Sequence, residues 1–156
     1  MATYLVSVVA TSNSTSNTED TFIQLTAAAS TQCSIRRVRV FYRGDTTAVG
    51  DNNVECRVVI QSAAGTGGVA GTAVKTNPLM PAATSTVDVK SGTTAYSVGT
   101  VTNTFTNFAF NERGFYEWVA LDDKERYASG SAGILSVLLK SSAASRQYAV
   151  ECEFEE

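Results

Sequence analysis

Arg146-Gln147-Tyr148-Ala149-Val150-Glu151-Cys152-Glu153-Phe154-Glu155 is the stretch on which the fold turns. Tyr148, Val150, Cys152 and Phe154 share one parity, and Glu151, Glu153 and Glu155 share the other. Successive side chains of an extended chain point to opposite faces, so this period predicts a strand with one apolar and one acidic face. A slip of one residue would send the acids inward, which specifies the register tightly. A row of glutamates also resists edge-to-edge pairing, or else meets a basic partner.

Other segments extend the pattern. Gly133 to Lys140 is apolar on both parities at Ile134, Leu135, Val137, Leu138 and Leu139, which predicts a strand central in a sheet. In Cys33 to Tyr42, Val38, Val40 and Tyr42 alternate with Arg37, Arg39 and Phe41. Ile35 lies on the arginine parity, so a bulge near Arg36-Arg37 is expected to exchange the faces. Cys56, Val58 and Ile60 alternate with Glu55, Arg57 and Gln61, and Val59 among the polar set implies that this face is partly covered. Thr3–Val9, Phe22–Leu25, Thr84–Val89, Thr104–Phe110 and Phe115–Leu121 are further strand candidates. About eight to ten short strands, with turn signals between them and no convincing amphipathic helix, read as an all-β sandwich or barrel.

Residues 1–20 read as an N-terminal strand or arm on a polar Ser/Thr/Asn linker, and 21–156 as a single β-sandwich domain. On a mobile tether from Thr11 to Asp20, the strand holding Tyr4, Leu5 and Val6 would reach a neighbouring subunit's sheet by strand addition. The first and last strands are both strong, which favours their pairing within one body.

Composition narrows the chemistry. A chain of 156 residues is long enough to bury a core without staples. It holds no histidine, the usual general base and commonest metal ligand, so an enzyme and a metal or other cofactor are not expected. Net charge is −3, with few, dispersed basic residues, which argues against nucleic acid as a partner. Only 17% of residues are charged, which suits contact with other protein surfaces. Cys33, Cys56 and Cys152 have no CxxC spacing and read as buried free thiols, with one disulfide plus a free thiol as the alternative. Tyr4 to Ala10 is too short and lacks the basic flank of a secretory leader, and no stretch reaches membrane-helix length, so a cytoplasmic origin and no membrane partner are expected.

Four local motifs have a chemical reading and a plainer one. Arg43-Gly44-Asp45 matches an integrin-recognition tripeptide and equally a strand ending in a Gly-Asp turn. Gly65 to Gly71 is glycine-rich, but it lacks the spacing and following helix of a phosphate loop and reads as flexible. Tyr116, Trp118 and Tyr127, with Asp122 and Asp123, would form the surface of a carbohydrate- or receptor-binding module; the plainer reading is core packing. Glu112 with Glu117, or Asp122 with Asp123, are the nearby carboxylate pairs an enzyme would need. The first pair faces opposite sides at odd offset, and Lys124 and Arg126 neutralise the second as a calcium loop.

Arg36, Arg37 and Arg39 crowd one short strand, opposite in charge to Glu151, Glu153 and Glu155. The two sets are candidates to meet across a subunit boundary; pairing within one sheet, or solvation, is the alternative.

The layout of the whole chain resembles the capsid decoration (cement) proteins of tailed-bacteriophage heads. The resemblance rests on Ala2-Thr3-Tyr4-Leu5-Val6-Ser7, the Thr/Asn run ending at Glu19, Leu25 to Ala29, the basic strand Ile35 to Val40, Val58-Val59-Ile60 leading into Gly65-Thr66, and the close on Val150 to Glu156. It implies a jelly-roll-like sandwich, assembly as a homotrimer, and attachment to the major capsid protein on the outer surface of the virion. Lys75 to Thr102 matches that layout least well.

Overall fold

The computed structural model describes residues 1–44, 50–122 and 127–156. The described residues form twelve strands and no helix. They are β1 (Thr3–Thr11), β2 (Glu19–Thr26), β3 (Ser34–Tyr42), β4 (Asn53–Ala63), β5 (Val69–Ala70), β6 (Val74–Lys75), β7 (Thr86–Val89), β8 (Thr100–Asn111), β9 (Phe115–Val119), β10 (Tyr127–Ala128), β11 (Ile134–Ser141) and β12 (Gln147–Glu155). Nine have four or more residues, and β5, β6 and β10 are two-residue pieces at sheet margins.

Two antiparallel sheets make a β-sandwich. In the first, β3 pairs with β9 and β10 on one side and β12 on the other, followed by β1 and β6. In the second the order is β5-β7-β2-β11-β4-β8. Among the eight principal strands the first pairs with the last (β1·β12), the second with the seventh (β2·β11), the third with the sixth (β3·β9) and the fourth with the fifth (β4·β8). Hydrophobic parity decides this arrangement. Tyr148, Val150, Cys152 and Phe154 are fully buried and face the gap between the sheets with Val38, Val40, Val6 and Tyr4. Val54, Cys56, Val58, Leu135, Val137 and Leu139 line the gap from the other sheet. The expected bulge is present: Glu153 pairs with Arg37 and Phe154 with Ile35, so Arg36 is the extra residue and Ile35 turns into the core.

Residues 1–20 are not a separate arm. β1 lies inside its own sheet, registered along its whole length with β12, and Ala2 and Glu156 exchange backbone hydrogen bonds at the margin. Tyr4 and Val6 are core residues, and Leu5 pairs with Glu153 on one side and Val74 on the other. The segment after β1 is pinned rather than free. Ser12 N–H donates to the Arg146 carbonyl, Asn17 N–H to the Ser141 carbonyl, and Ser145 N–H to the Asn13 carbonyl. The polar composition of this linker reflects turn hydrogen bonding, which a reading for mobility cannot distinguish from solvation.

β11 is central, between β2 and β4, as its two-sided apolarity requires. Leu138 and Val59 are fully buried yet point away from the main core, alongside Tyr96, which is 1% exposed. A loop holding Tyr96 hangs over this outer face: Thr21 N–H donates to the Tyr96 carbonyl, and the Thr21 hydroxyl to the Ser97 carbonyl. The glycine-rich segment, expected to be flexible, packs against that loop. A Cβ at Gly65 would stand 2.0 Å from the Ser97 carbonyl oxygen, one at Gly67 2.3 Å from the Ala95 carbonyl oxygen, and one at Gly68 2.5 Å from the Tyr96 ring. Close backbone approach is what these glycines provide.

Candidate functional site

The outer face of the first sheet carries most of the candidate interface residues. The register places Glu117, Arg39 and Glu151 in one cross-strand row over β9, β3 and β12, and Val119, Arg37, Glu153 and Leu5 in the next, which runs on to β1. Arg39 thus has a glutamate on either side, and Arg37 has Glu153 opposite it and Glu117 on the diagonal. Arg39 Nε donates to Glu117 at 2.6 Å and Arg39 Nη1 lies 3.6 Å from Glu151. Arg37 Nη2 stands 2.8 Å from Glu153, and Arg36 Nη1 3.1 Å from Glu155. The hydrogen bond that Arg39 donates to Glu117 raises the Arg39 pKa further above its already high ordinary value.

The two charge sets therefore meet within one sheet. The pairing across a subunit boundary is not needed to balance them. The lateral spacing of antiparallel strands brings opposed side chains within about 5.5 Å, which accounts for the match. Exposed pairs of this kind contribute little to stability, because water and salt screen them. Replacing Glu151 and Glu153 together by lysine sets like charges opposite Arg39 and Arg37. The expected cost is about 1–2 kcal/mol in total by urea denaturation, with no change of mass by light scattering. A halved or otherwise reduced mass would restore the inter-subunit reading.

The candidate carbohydrate surface is built differently from its sequence outline. Trp118 stacks on Tyr127 with centroids 4.3 Å apart, Tyr127 on Phe105 at 5.1 Å, and Tyr116 on Phe108 at 3.4 Å. These rings close the open side of the sandwich, where β8 of one sheet meets β9 and β10 of the other. Each of these rings stacks on at least one other, and all are half-buried. Asp122 is exposed nearby, while Asp123, Lys124 and Arg126 lie outside the described residues, as does Asp45 of the Arg-Gly-Asp tripeptide. Gly44 has φ +82°, the backbone of a tight turn.

Glu112 and Glu117 belong to different surroundings. Glu117 lies in the outer ladder. Glu112 follows β8 and is buried at the end of the sandwich against Arg146, whose Nη2 donates to Oε1 at 2.6 Å. Gly50 N–H and Asn52 Nδ2 donate to the same oxygen at 2.7 and 2.9 Å. Burial alone would raise the Glu112 pKa, but the hydrogen bonds from Arg146, Gly50 and Asn52 bring it below the ordinary carboxylate value. Arg146 also lies over the Tyr42 ring, 4.8 Å from its centroid. Tyr148 donates to Ser141 Oγ at 2.9 Å, and burial pushes its phenol up to about 12. Nothing in the sequence marks Glu112 and Arg146 as partners, since 34 residues separate them.

A second buried ion pair joins Lys90 to Asp20 at 3.3 Å, with both side chains almost wholly enclosed. Lys90 Nζ also donates to the Thr94 carbonyl at 2.6 Å, tying the Tyr96 loop to β2. All three cysteines are buried free thiols, and burial pushes each of their pKa values up. No cluster of metal-ligating side chains occurs among the described residues, and no helix is long and apolar enough to cross a membrane. A groove of about 390 Å³ is lined by the Ala70–Ala73 link, Ala82, Ala83, Ser85 and residues of β7. Compared with known proteins, the chain matches no family model, no curated protein and no solved structure.

Proposed function

We propose that the chain is a virion structural protein, a decoration (cement) protein bound to the outer surface of a tailed-phage head. The observation that carries this reading is the wrapped pairing order, first strand with eighth through fourth with fifth. That order supports a jelly-roll reading of the sandwich, an architecture that recurs in viral capsid proteins and in lectins. Because one fold hosts many functions, the choice between the two turns on surfaces. A lectin of this build would present aromatic faces to a sugar, and here Tyr116, Trp118 and Tyr127 spend theirs on stacking. A decoration protein presents a rigid, weakly charged body whose modest contacts are multiplied around a shell. The arginine–glutamate ladder, neutralised from within, fits such a body.

Empty heads assembled from the cognate major capsid protein provide the test. The purified chain is expected to co-sediment with them to saturation, at a fixed number of copies per capsomer junction, and to raise the temperature at which the heads rupture. Failure to co-sediment, together with specific binding on a glycan array that Trp118→Ala abolishes, would transfer the assignment to the carbohydrate-binding reading.

A further inference from the structure

The two buried ion pairs described above differ in how fully they are met. Glu112 accepts from Arg146, Gly50 and Asn52. Asp20 is 1% exposed and has Lys90 Nζ 3.3 Å from Oδ1, while its Oδ2 is met by no donor of the protein. A buried carboxylate oxygen without a donor is costly, and such an atom in a native fold calls for a reason. Lys90 is equally enclosed, with none of its side chain exposed, and its Nζ donates to the Thr94 carbonyl at 2.6 Å.

Backbone contacts fix these two side chains against each other. Asp20 lies opposite Leu139 in the β2·β11 register, and Lys90, directly after β7, donates its N–H to the Phe22 carbonyl. Leu139 and Phe22 are fully buried core residues. An amine is therefore held beside a carboxyl group for the lifetime of the folded state, in surroundings almost closed to water. Holding two reacting groups in place removes the entropic cost of bringing them together. Excluding water removes the solvent that would hydrolyse their product.

We propose that Lys90 and Asp20 condense into an intramolecular amide, an isopeptide bond that closes residues 20–90 into a covalent ring. A proton passes from Lys90 Nζ to Asp20 Oδ1 across their contact, leaving a neutral amine and a neutral acid, the forms a dry site favours. The amine lone pair attacks Cγ and forms the C–N bond, while Oδ2 takes up the negative charge. A second Nζ proton passes to Oδ1, the Cγ–Oδ1 bond breaks with its electron pair on oxygen, and one water leaves. Oδ2 returns as the amide carbonyl, and the remaining Nζ–H is the one that donates to Thr94. Ammonium and carboxylate thus become one amide and one water, with no oxidant, reductant or other co-reactant. The unmet carboxylate oxygen becomes a neutral carbonyl. The bond ties β2 to the stretch leading into the Tyr96 loop, and a ring of this length restricts the unfolded chain as other cross-links do. Nothing in this chemistry depends on whether the protein decorates a head.

Intact-mass spectrometry of the full chain, purified folded and then denatured, tests the bond. Its mass is expected to fall short of that calculated from the sequence by one water molecule. A tryptic digest is expected to hold a branched peptide joining residues 1–36 to residues 76–113, because trypsin does not cut at an acylated Lys90. Chain recovered in denaturant without ever having folded is expected at its full mass, and to lose the water on refolding. Lys90→Arg keeps a cation beside Asp20 but has no amine to attack with, and is expected to hold its full mass. A folded, unmodified chain at full mass overturns the proposal whether or not that variant folds. So does a loss of water without the branched peptide, or one that Lys90→Arg retains, since either places the dehydration elsewhere in the chain.

Discussion

Glu112→Ala is expected to lower the unfolding free energy by about 3–5 kcal/mol, because it strands the Arg146 guanidinium in a site that is almost closed to water. The same change leaves Gly50 N–H and Asn52 Nδ2 without the acceptor they share, and an unsatisfied buried donor adds its own desolvation cost. Removing both charges at once should be far milder. Glu112→Leu with Arg146→Met replaces the pair by apolar groups of similar volume, which removes the stranded charge and leaves only the unmet Gly50 and Asn52 donors as a cost. Urea denaturation of the two single variants and the double variant completes a cycle. Single variants no worse than the double would show that the pair is not the buried unit described.

The same pair sets an acid limit. The folded-state pKa of Glu112 is depressed, so its contribution is fully present above the ordinary carboxylate pKa and is lost as pH falls through the lower, folded-state value. Glu156 adds in the same direction. Burial raises its pKa, but hydrogen bonds from the Ser85 hydroxyl and from the Thr84 and Ser85 N–H groups bring it below the ordinary value. Stability should therefore fall below about pH 4.5, and less steeply in the Glu112→Leu/Arg146→Met protein.

Tyr96→Ala carries the other large expected effect, again about 3–5 kcal/mol, as for removal of a buried aromatic ring. The ring is enclosed between its own loop and the Gly65–Gly68 segment, over an outer sheet face that buries Val59 and Leu138. Its loss should also act locally. Amide exchange is expected to rise at residues 64–68 and 91–99 before the central strands β11 and β12 are affected. Uniform loss of protection through both sheets would place Tyr96 in the main core instead. Gly65→Ala is expected to produce the same local signature, since the nearest obstacle is a backbone carbonyl oxygen that no side-chain rotation can clear.

How much of this was legible follows from which signals are local. Alternation in β12 and two-sided apolarity in β11 each depend on a handful of adjacent residues, and both strands take the places their patterns require. Ile35 on the wrong parity was enough to locate the bulge, which falls at Arg36. Val59 among polar neighbours correctly implied a covered face, but the loop that hangs over that face through Thr21 lies much further along the chain, in a stretch with no period to read. The Gly65–Gly71 segment was misread for the same reason: glycine looks alike whether it serves flexibility or close packing, and only the facing loop distinguishes them. The polar run after β1 suggested a tether because Ser, Thr and Asn serve turns and mobile segments equally. Among the candidate interface residues, opposite charges on two strands announced a pairing. Whether it lay within one sheet was a matter of strand order, which residue type does not encode. The buried Glu112–Arg146 pair had no such signal.

The clasp between β1 and β12 also dictates when the molecule can form. Thr3 meets Glu155, so apart from a two-residue contact with β6 the opening strand has no partner until the closing one has been made. At ribosomal speeds of about 5–20 residues per second, a valine-rich ribbon would stand open for on the order of ten seconds in every nascent copy. Such nested, distant pairings fold slowly, and the hazard lies in the interval: neighbouring chains on one message expose the same sticky ribbon together. The yield of this protein in a host cell should therefore depend on how quickly that ribbon is shielded as well as on how stable the finished sandwich is.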